Sequence, residues 1–386
     1  MATVKRRTWR TDDGALREAW RVRYVDQHGK ARTRQFALKR DADAFRIQAE
    51  GQVAAGTHTP DSSSTTVAKA ADLWVSTGEN NGLERGTIKA YRELADLHIK
   101  PLLGKEKLSR LTQPKIETFK DALLKTRSPA MAAKAVRGLS MILADAMRRG
   151  LVAQNVAKGV TVRRSKRDKK RVVIPPREHL RALLDAADAL GEKDPRLPVM
   201  TRLATFSGLR QSELRGIAWP SIDFRGGTVT VSQRADRWCD IGEPKSEAGT
   251  RTIPLGSDMV ARLRAWKLRC PPSPKNLLFC TKAGKPLDQR AMAALFLAVQ
   301  IKAGLAIDTG TVDANGATKW ASRYGWHDLR HAAASAWIAQ GVDLKRLQVW
   351  IGHANISLTL DCYGHLLTDA ATDAALANGA EKALLA

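Results

Sequence analysis

The chain has 386 residues, and 64 lysines and arginines against 39 aspartates and glutamates leave a formal net charge of +25. That length allows two or three domains with a sizeable core, and the charge favours a polyanionic partner, because phosphates relieve the self-repulsion that opposes compaction. No apolar run approaches the roughly 20 residues that span a bilayer, and the basic first ten residues contain no apolar signal-type stretch, so no membrane partner is expected. The four cysteines, Cys239, Cys270, Cys280 and Cys362, form no Cys-x-x-Cys pair; this argues against zinc and fits a reducing cytosol.

Residues 1–55 read as a small module. Trp20-Arg21-Val22-Arg23-Tyr24-Val25 and Arg32-Thr33-Arg34-Gln35-Phe36 alternate in side-chain character around a His28-Gly29-Lys30 turn, the period-two pattern of a hairpin. Asp41 to Val53 follows with a helical apolar side. The expectation is a three-stranded sheet backed by one helix, with Arg21, Arg23, Arg32 and Arg34 pointing outward, as a solvated face or into a DNA groove. Residues 56–66, rich in Ser and Thr, read as a linker.

Residues 67–155 are expected to be all helical. Ala71, Leu73, Trp74, Tyr91, Leu94, Leu97 and Ile99 recur at helical spacing, and Pro114 and Pro129 mark helix starts. Arg85, Lys89, Arg92, Lys100, Lys105, Lys107, Arg137, Arg148 and Arg149 fall on the polar faces. Residues 156–172 form a basic linker containing Arg163, Arg164, Lys166, Arg167, Lys169, Lys170 and Arg171. Such a run repels itself unless it is solvated or lies along a phosphate backbone. From 173 to 386 the pattern is mainly helical, with β-like Thr228–Val231 and Arg251–Leu255, Lys245 in the loop between them, and helices dominating to the end. The fold class is therefore multidomain: a sheet-plus-helix module, an all-α domain, and a mainly α (α+β) domain with a small antiparallel sheet. Trp320, Trp326, Trp337 and Trp350 read as core anchors.

Cutting a phosphodiester without metal takes an in-line nucleophile, cationic donors on the non-bridging oxygens and a proton for the leaving oxygen. Arginine suits the oxygens because its planar fork donates two hydrogen bonds and keeps its charge. Tyrosine suits a reversible step, since its phosphate ester retains the energy of the broken bond; neighbouring cations are expected to favour the phenolate. Gly208-Leu209-Arg210-Gln211-Ser212-Glu213-Leu214, His327-Asp328-Leu329-Arg330-His331, Ile351-Gly352-His353 and Tyr363-Gly364-His365 occur in that order, Tyr363 ten positions after His353. This ordered set resembles the tyrosine recombinase family, the phage-type (lambda-like) integrases in particular, from about Val67 to Tyr363, and the N-terminal module is similar to an arm-binding domain. Ile351 stands where the family usually has leucine, a volume-conserving exchange.

The resemblance implies that Arg210 and Arg330 grip the scissile phosphate and that His353 donates to it. His327 bonds the phosphate region and takes the tyrosine proton. Lys245, with Lys282 and Lys285 as rivals, protonates the leaving 5′ oxygen. Tyr363 is the nucleophile that forms a 3′-phosphotyrosine link, and Glu213 supports an arginine. It further implies a C-shaped grip on double-stranded core and arm sites, a homotetramer exchanging strands through a Holliday junction, no metal or nucleotide cofactor, a bacterial cytosolic location, and a host DNA-bending protein and excision factor as partners. Residues 368–386 read as a helix with an apolar stripe of Leu376, Ala380 and Leu384, capping its own core or, by resemblance, docking on a neighbouring subunit.

The blander readings are a helix-terminal surface charge for Arg210, a packed aromatic for Tyr363, and satisfied polar or core histidines for His331 and His365. His327 and His331 share a helix face, but the zincin pattern needs Glu where Asp328 stands, and Arg330 repels a cation. Two other classes fit the same chemistry in part: a type IB topoisomerase-like strand transferase, and an architectural DNA-binding protein with an inactive site.

Overall fold

The structure is a computed structural model that describes residues 2–12, 14–26, 29–56, 58, 60–61, 64–163, 172–366 and 370–385. His28, Arg164, Lys166, Arg167, Lys169, Lys170 and Arg171 lie outside the described residues. The chain divides into two compact units, Met1–Lys169 and Lys170–Ala386.

The first unit begins with an antiparallel sheet of β1 (Thr3–Arg10), β2 (Leu16–Val25) and β3 (Ala31–Phe36), in that order, and helix α1 (Lys39–Ala54) packs on it. Val22, Tyr24, Ala42 and Ala49 form its small core. The register decides which arginines point outward. Val25 pairs with Ala31, so Arg21 stands opposite Gln35 and Arg23 opposite Thr33, whereas Arg32 pairs with Tyr24 and Arg34 with Val22. Paired residues share a face. Arg32 and Arg34 therefore lie on the helix-covered face, contrary to expectation: Arg32 Nε donates to Asp26 Oδ2 at 2.8 Å, and the Arg34 guanidinium stacks 4.7 Å from the Phe45 ring centroid. The open face carries Arg21 and Arg23 together with Lys5, Arg7 and Arg17.

The segment between this module and the helices is anchored. His58 Nε2 is 2.8 Å from Tyr24 Oη, and Asp61 accepts from Arg110 Nε at 3.0 Å. The helical part comprises α2 (Val67–Asn80), α3 (Arg85–Leu94), a π-turn (Ala95–Ile99), α4 (Lys100–Leu103), α5 (Gln113–Thr126) and α6 (Pro129–Arg148). Thr66 and Ser128 cap α2 and α6 by accepting from Lys69 N and Met131 N. Trp74, Ile99, Ile116, Phe119, Leu139 and Leu143 fill its core, which extends to Ala157 and Val160. Several cations read as DNA-facing are paired within the unit: Arg92 with Glu79, Lys100 with Asp72 and Asp96, Arg148 and Arg149 with Asp145, and Lys89 with Glu93 at 3.8 Å. Arg85, Lys105, Arg137 and Arg163 are exposed.

The second unit holds α7 (Arg177–Ala189), α8 (Arg196–Ser207), α9 (Gln211–Gly216), β4 (Ile222–Asp223), β5 (Thr228–Val231), β6 (Arg234–Ala235), β7 (Ile241–Gly242), β8 (Arg251–Pro254), α10 (Ser257–Lys267), α11 (Gln289–Lys302), β9 (Ile307–Val312), β10 (Thr318–Ala321), α12 (Trp326–Ala339), α13 (Leu344–Ile351), α14 (Ile356–Tyr363) and α15 (Ala370–Leu385). Strands β4, β5 and β8 make an antiparallel sheet; β6–β7 and β9–β10 are two-stranded ribbons. Helix α8 is buried nearly all round, and α12 packs along it. Trp326 is buried and its indole donates to Met292 O, while Trp337 and Trp350 pack edge to face and Trp320 is exposed. The β9–β10 ribbon replaces part of the expected helical run. Thr309, Thr311, Val312 and Thr318 favour strand, and Asp313 N and Ala317 O close an Asn315-Gly316 turn. Strand β9 is exposed on both faces, so no inside–outside alternation marks it in the sequence. Among the described residues no helix is long and apolar enough to cross a membrane.

Helix α9 ends against β6. A Cβ on Gly216 would lie 2.5 Å from Ala235 N and 2.6 Å from Arg234 C, both backbone atoms. Gly216→Ala is expected to lower stability by about 1–3 kcal/mol, seen as a lower urea midpoint at unchanged slope; an unchanged midpoint would refute this close approach.

Candidate active site

Helix α8 stops at Gly208, whose φ of +60° is a left-handed C-cap. A Cβ there would meet the Trp337 ring at 3.2 Å, so glycine lets α12 approach. The chain leaves in extended conformation at Arg210 and enters α9. Arg210 N donates to Glu213 Oε2 at 2.8 Å, the reciprocal bond that starts a helix. Arg210 Nη1 donates to Glu213 Oε1 at 2.7 Å, and Nη2 to Gly352 O at 2.7 Å.

Glu213 is held from the other side by Arg251, whose Nη1 and Nη2 donate to its two oxygens at 3.0 and 2.8 Å. Arg251 Nε donates to Trp350 O at 2.7 Å, and Nη1 also to Gly249 O. Arg251 was not among the expected site residues. Its signal is parity: in β8 it shares the buried side with Ile253, a charged residue where the strand pattern calls for an apolar one.

Arg330 lies inside α12, 1% exposed. Its Nη1 donates to Gly208 O at 2.7 Å and its Nη2 to Ile351 O. The arginines thus take the free carbonyls at the ends of α8 and α13, where the helix dipole is negative. Gly352, with φ +71°, ends α13, and a Cβ on it would sit 2.7 Å from Ala248 O and 2.8 Å from Arg251 Cδ. Next to it, His353 Nδ1 is 3.0 Å from Thr359 Oγ1, and Gln348 Nε2 donates to His353 O.

Tyr363 closes α14 with no solvent exposure. Its Oη is 2.7 Å from His331 Nδ1, and the two rings meet edge to face. His327, at the exposed edge of α12, packs against His331 with centroids 4.7 Å apart. His331 was read as a bystander; it is the residue on the phenol oxygen. Spacing places it directly after Arg330 and one helical turn beyond His327, but its contact with Tyr363 comes from α14. The side chain of His365 lies outside the described residues.

The electrostatics follow from burial. Burial pushes the Glu213 carboxyl up, but the Arg251 hydrogen bond and charge, with Arg210, bring it down to about 2. Burial and then the Arg210 charge lower Arg330 to about 9. His331 falls to about 4 through burial, then His327 and Arg330; His353 falls to about 4 through burial, then Arg330, Arg210 and Arg251. Desolvation and then Arg330 also lower His327. Tyr363 is raised, because burial outweighs Arg330. The expected cation-stabilised phenolate is therefore absent: the cluster combines charged guanidinium groups with neutral histidines and a neutral phenol.

Lys245 is exposed on the loop between β7 and β8, whose far end packs on Arg251 and Gly352 through Gly249 and Ala248. The turn of Lys282 and Lys285 adjoins the start of α8, where Arg196 Nη1 donates to Cys280 O. That is the opposite end of a helix of roughly 18 Å from Gly208. Among the described residues no group of three or more His, Cys, Asp or Glu is placed to hold a metal ion. The arrangement suits binding an anion beside a tyrosine hydroxyl.

Residues 176–369 match the phage integrase family. The chain is 28% identical over 282 residues to tyrosine recombinase XerC of Proteus mirabilis, covering 72% of this chain and 76% of that protein. It is 25% identical over 206 residues to a XerC-like tyrosine recombinase of Caldanaerobacter subterraneus subsp. tengcongensis, covering 47% and 49%. Against several of the curated relatives it matches, the chain spans half their length or less. Among solved structures it resembles the Tn1549 transposon integrase in complex with transposon right end DNA (TM-score 0.64, 19% identity, 83% of this chain and 100% of that one). It also resembles a lambda integrase dimer bound to a COC′ core site (0.58, 20%, 94% and 94%). At these identities the structures establish the shared fold.

Glu213 carries a pH signature. Its folded pKa of about 2 lies below the ordinary 4.5, so its stabilisation is complete above about pH 4.5 and is lost as the pH falls toward 2. The gap corresponds to about 3 kcal/mol. At neutral pH Glu213→Gln is expected to lower the unfolding free energy by roughly 3–5 kcal/mol, and the difference from wild type to shrink on acidification through that window. A difference that stays constant with pH would contradict the assignment.

Proposed function

The chain belongs to the phage integrase family, and from that premise we propose that it is a tyrosine-type site-specific DNA recombinase that integrates or excises a mobile element. The observation that carries this reading is the hydroxyl of Tyr363, at the end of α14, beside a cluster in which Arg210, Arg251 and Arg330 are fixed by Glu213 and helix-end carbonyls. Arg210 and Arg330 hold the non-bridging oxygens of the scissile phosphate, and His353 donates a further hydrogen bond. Fixed donors of this kind stabilise charge without reorganising during the reaction.

Tyr363 Oη attacks phosphorus as the bond to the 5′ oxygen breaks, and Lys245 protonates that oxygen. The 3′-phosphotyrosine ester conserves the bond energy, so resealing needs no nucleotide. Because Tyr363 is fully buried, attack requires that the groups covering its hydroxyl move aside when DNA binds. Two rounds of exchange in a homotetramer pass through a Holliday junction; lambda integrase, of similar fold, is known as a tetramer bound to one.

In the N-terminal module, Lys5, Arg7, Arg17, Arg21 and Arg23 bind arm sites along the open sheet face. Exposed Arg85 and Arg163 contact the core site, and α15, with Leu384 and Leu385 exposed, docks on a neighbouring subunit. Such an enzyme works at the DNA of the bacterial cytosol.

A two-site plasmid assay, built with the DNA flanking the chain's own coding sequence, tests the reading. Wild type should give recombinants. Tyr363→Phe should bind DNA with nearly wild-type affinity and give none, and Arg330→Ala should cut on the order of 10²–10³ more slowly. Strand relaxation without partner exchange would favour a topoisomerase-like enzyme, and recombinants from the Phe variant would sink the mechanism.

A further inference from the structure

The family resemblance gives the phosphate to the arginines and the proton of Tyr363 to His327. A buried hydroxyl needs an acceptor, and Tyr363 Oη has His331 Nδ1 at 2.7 Å. His327, the residue expected for this task, packs edge to face on the His331 ring with centroids 4.7 Å apart, and it is the His331 ring that meets the phenol. Helix α12 thus puts Arg330 against the helix-end carbonyls of Gly208 and Ile351 and, one residue on, His331 against Tyr363.

We propose that His331 is a catalytic residue of the proposed strand transfer: its Nδ1 accepts the hydrogen bond that orients Tyr363 and takes the phenol proton as Oη bonds to phosphorus. The inference rests on the recombinase reading above. The step balances. The Oη–P bond forms, the P–O5′ bond breaks, the phenol proton moves to Nδ1, and the 5′ oxygen receives its proton from Lys245 or water. On resealing, the imidazolium returns its proton to the departing Tyr363 oxygen. In the DNA-free protein His331 is a neutral imidazole, free to accept, with its basicity held down by burial, His327 and Arg330. A bound phosphodiester brings a negative charge to the same cluster and strengthens the base when the nucleophile needs it.

Full-length wild type, His331→Ala and His331→Asn are compared in single-turnover cleavage of a nicked suicide duplex made from the DNA flanking the coding sequence. The duplex is prepared with an ordinary phosphodiester and with a 5′-bridging phosphorothiolate, whose thiolate leaves without a proton. Both variants are expected to shift DNA in a gel as wild type does and to cleave on the order of 10²–10⁴ more slowly. They should be equally slow on the phosphorothiolate, because the defect lies on the nucleophile side. Asparagine, which can accept a hydrogen bond but not hold a proton, should not restore the rate.

Cleavage at the wild-type rate, faster cleavage by the Ala variant, or rescue by the phosphorothiolate would each overturn the assignment, the second by showing His331 to be a restraint on Tyr363. No wild-type adduct at all would overturn the recombinase reading and this inference with it. An independent measurement needs neither cleavage nor variant folding at position 331. In nitrogen-15 spectra of histidine-labelled wild-type protein, His331 should be neutral with bare Nδ1, and Tyr363→Phe should shift that resonance. A protonated Nδ1 would overturn the assignment.

Discussion

The buried Glu213 carboxylate, clamped between Arg210 and Arg251, is the interaction on which the site depends. Two guanidinium groups cannot be brought together in a protein interior without a counter-charge. Glu213 supplies it and, in the same contact, starts α9 through the Arg210 amide. Further donors of these arginines and of Arg330 go to carbonyls at the ends of α8 and α13 and to Gly249 O. One carboxylate and two helix ends therefore fix three cations drawn from widely separated parts of the chain. The left-handed glycines at 208 and 352 are the backbone condition for it, because both are helix ends that a Cβ would push away from their neighbours.

The consequence is a cluster charged for an anion and otherwise quiet. Burial keeps the Tyr363 phenol protonated, and burial, reinforced by neighbouring positive charge, keeps His331 and His353 neutral. In the proposed reaction, reactivity arrives with the DNA: a phosphodiester supplies the missing negative charge, relieves the repulsion among the guanidinium groups and raises the basicity of the histidines. In that reaction a nucleophile held this way stays unreactive toward stray phosphate esters in the absence of substrate.

Much of this was legible in the sequence, and the failures have specific physical causes. Arg210, Arg330, His353 and Tyr363 stood out because their order and spacing follow a motif, and the structure brings them together around Glu213. Arg251 stayed hidden because an arginine in a short strand ordinarily faces water, and only its parity with Ile253 gives it away. The arginines of the N-terminal hairpin were assigned to one face because both strands alternate. However, the five-residue connection from Val25 to Ala31 pairs odd positions with odd ones, which turns Arg32 and Arg34 inward. The β9–β10 ribbon escaped notice because strands exposed on both faces carry no hydrophobic alternation. His331 was set aside because sequence gives its neighbours along a helix, whereas its partner arrives from α14.

The central claim is that Tyr363 is the atom donor for a covalent link to DNA. Denaturant-resistant adduct trapped on a nicked duplex, digested and sequenced by mass spectrometry, tests it most directly. The account predicts a single modified peptide, with Tyr363 esterified to a 3′-phosphate and a free 5′-hydroxyl on the released strand. A link at another residue, or to a 5′ end, would contradict it.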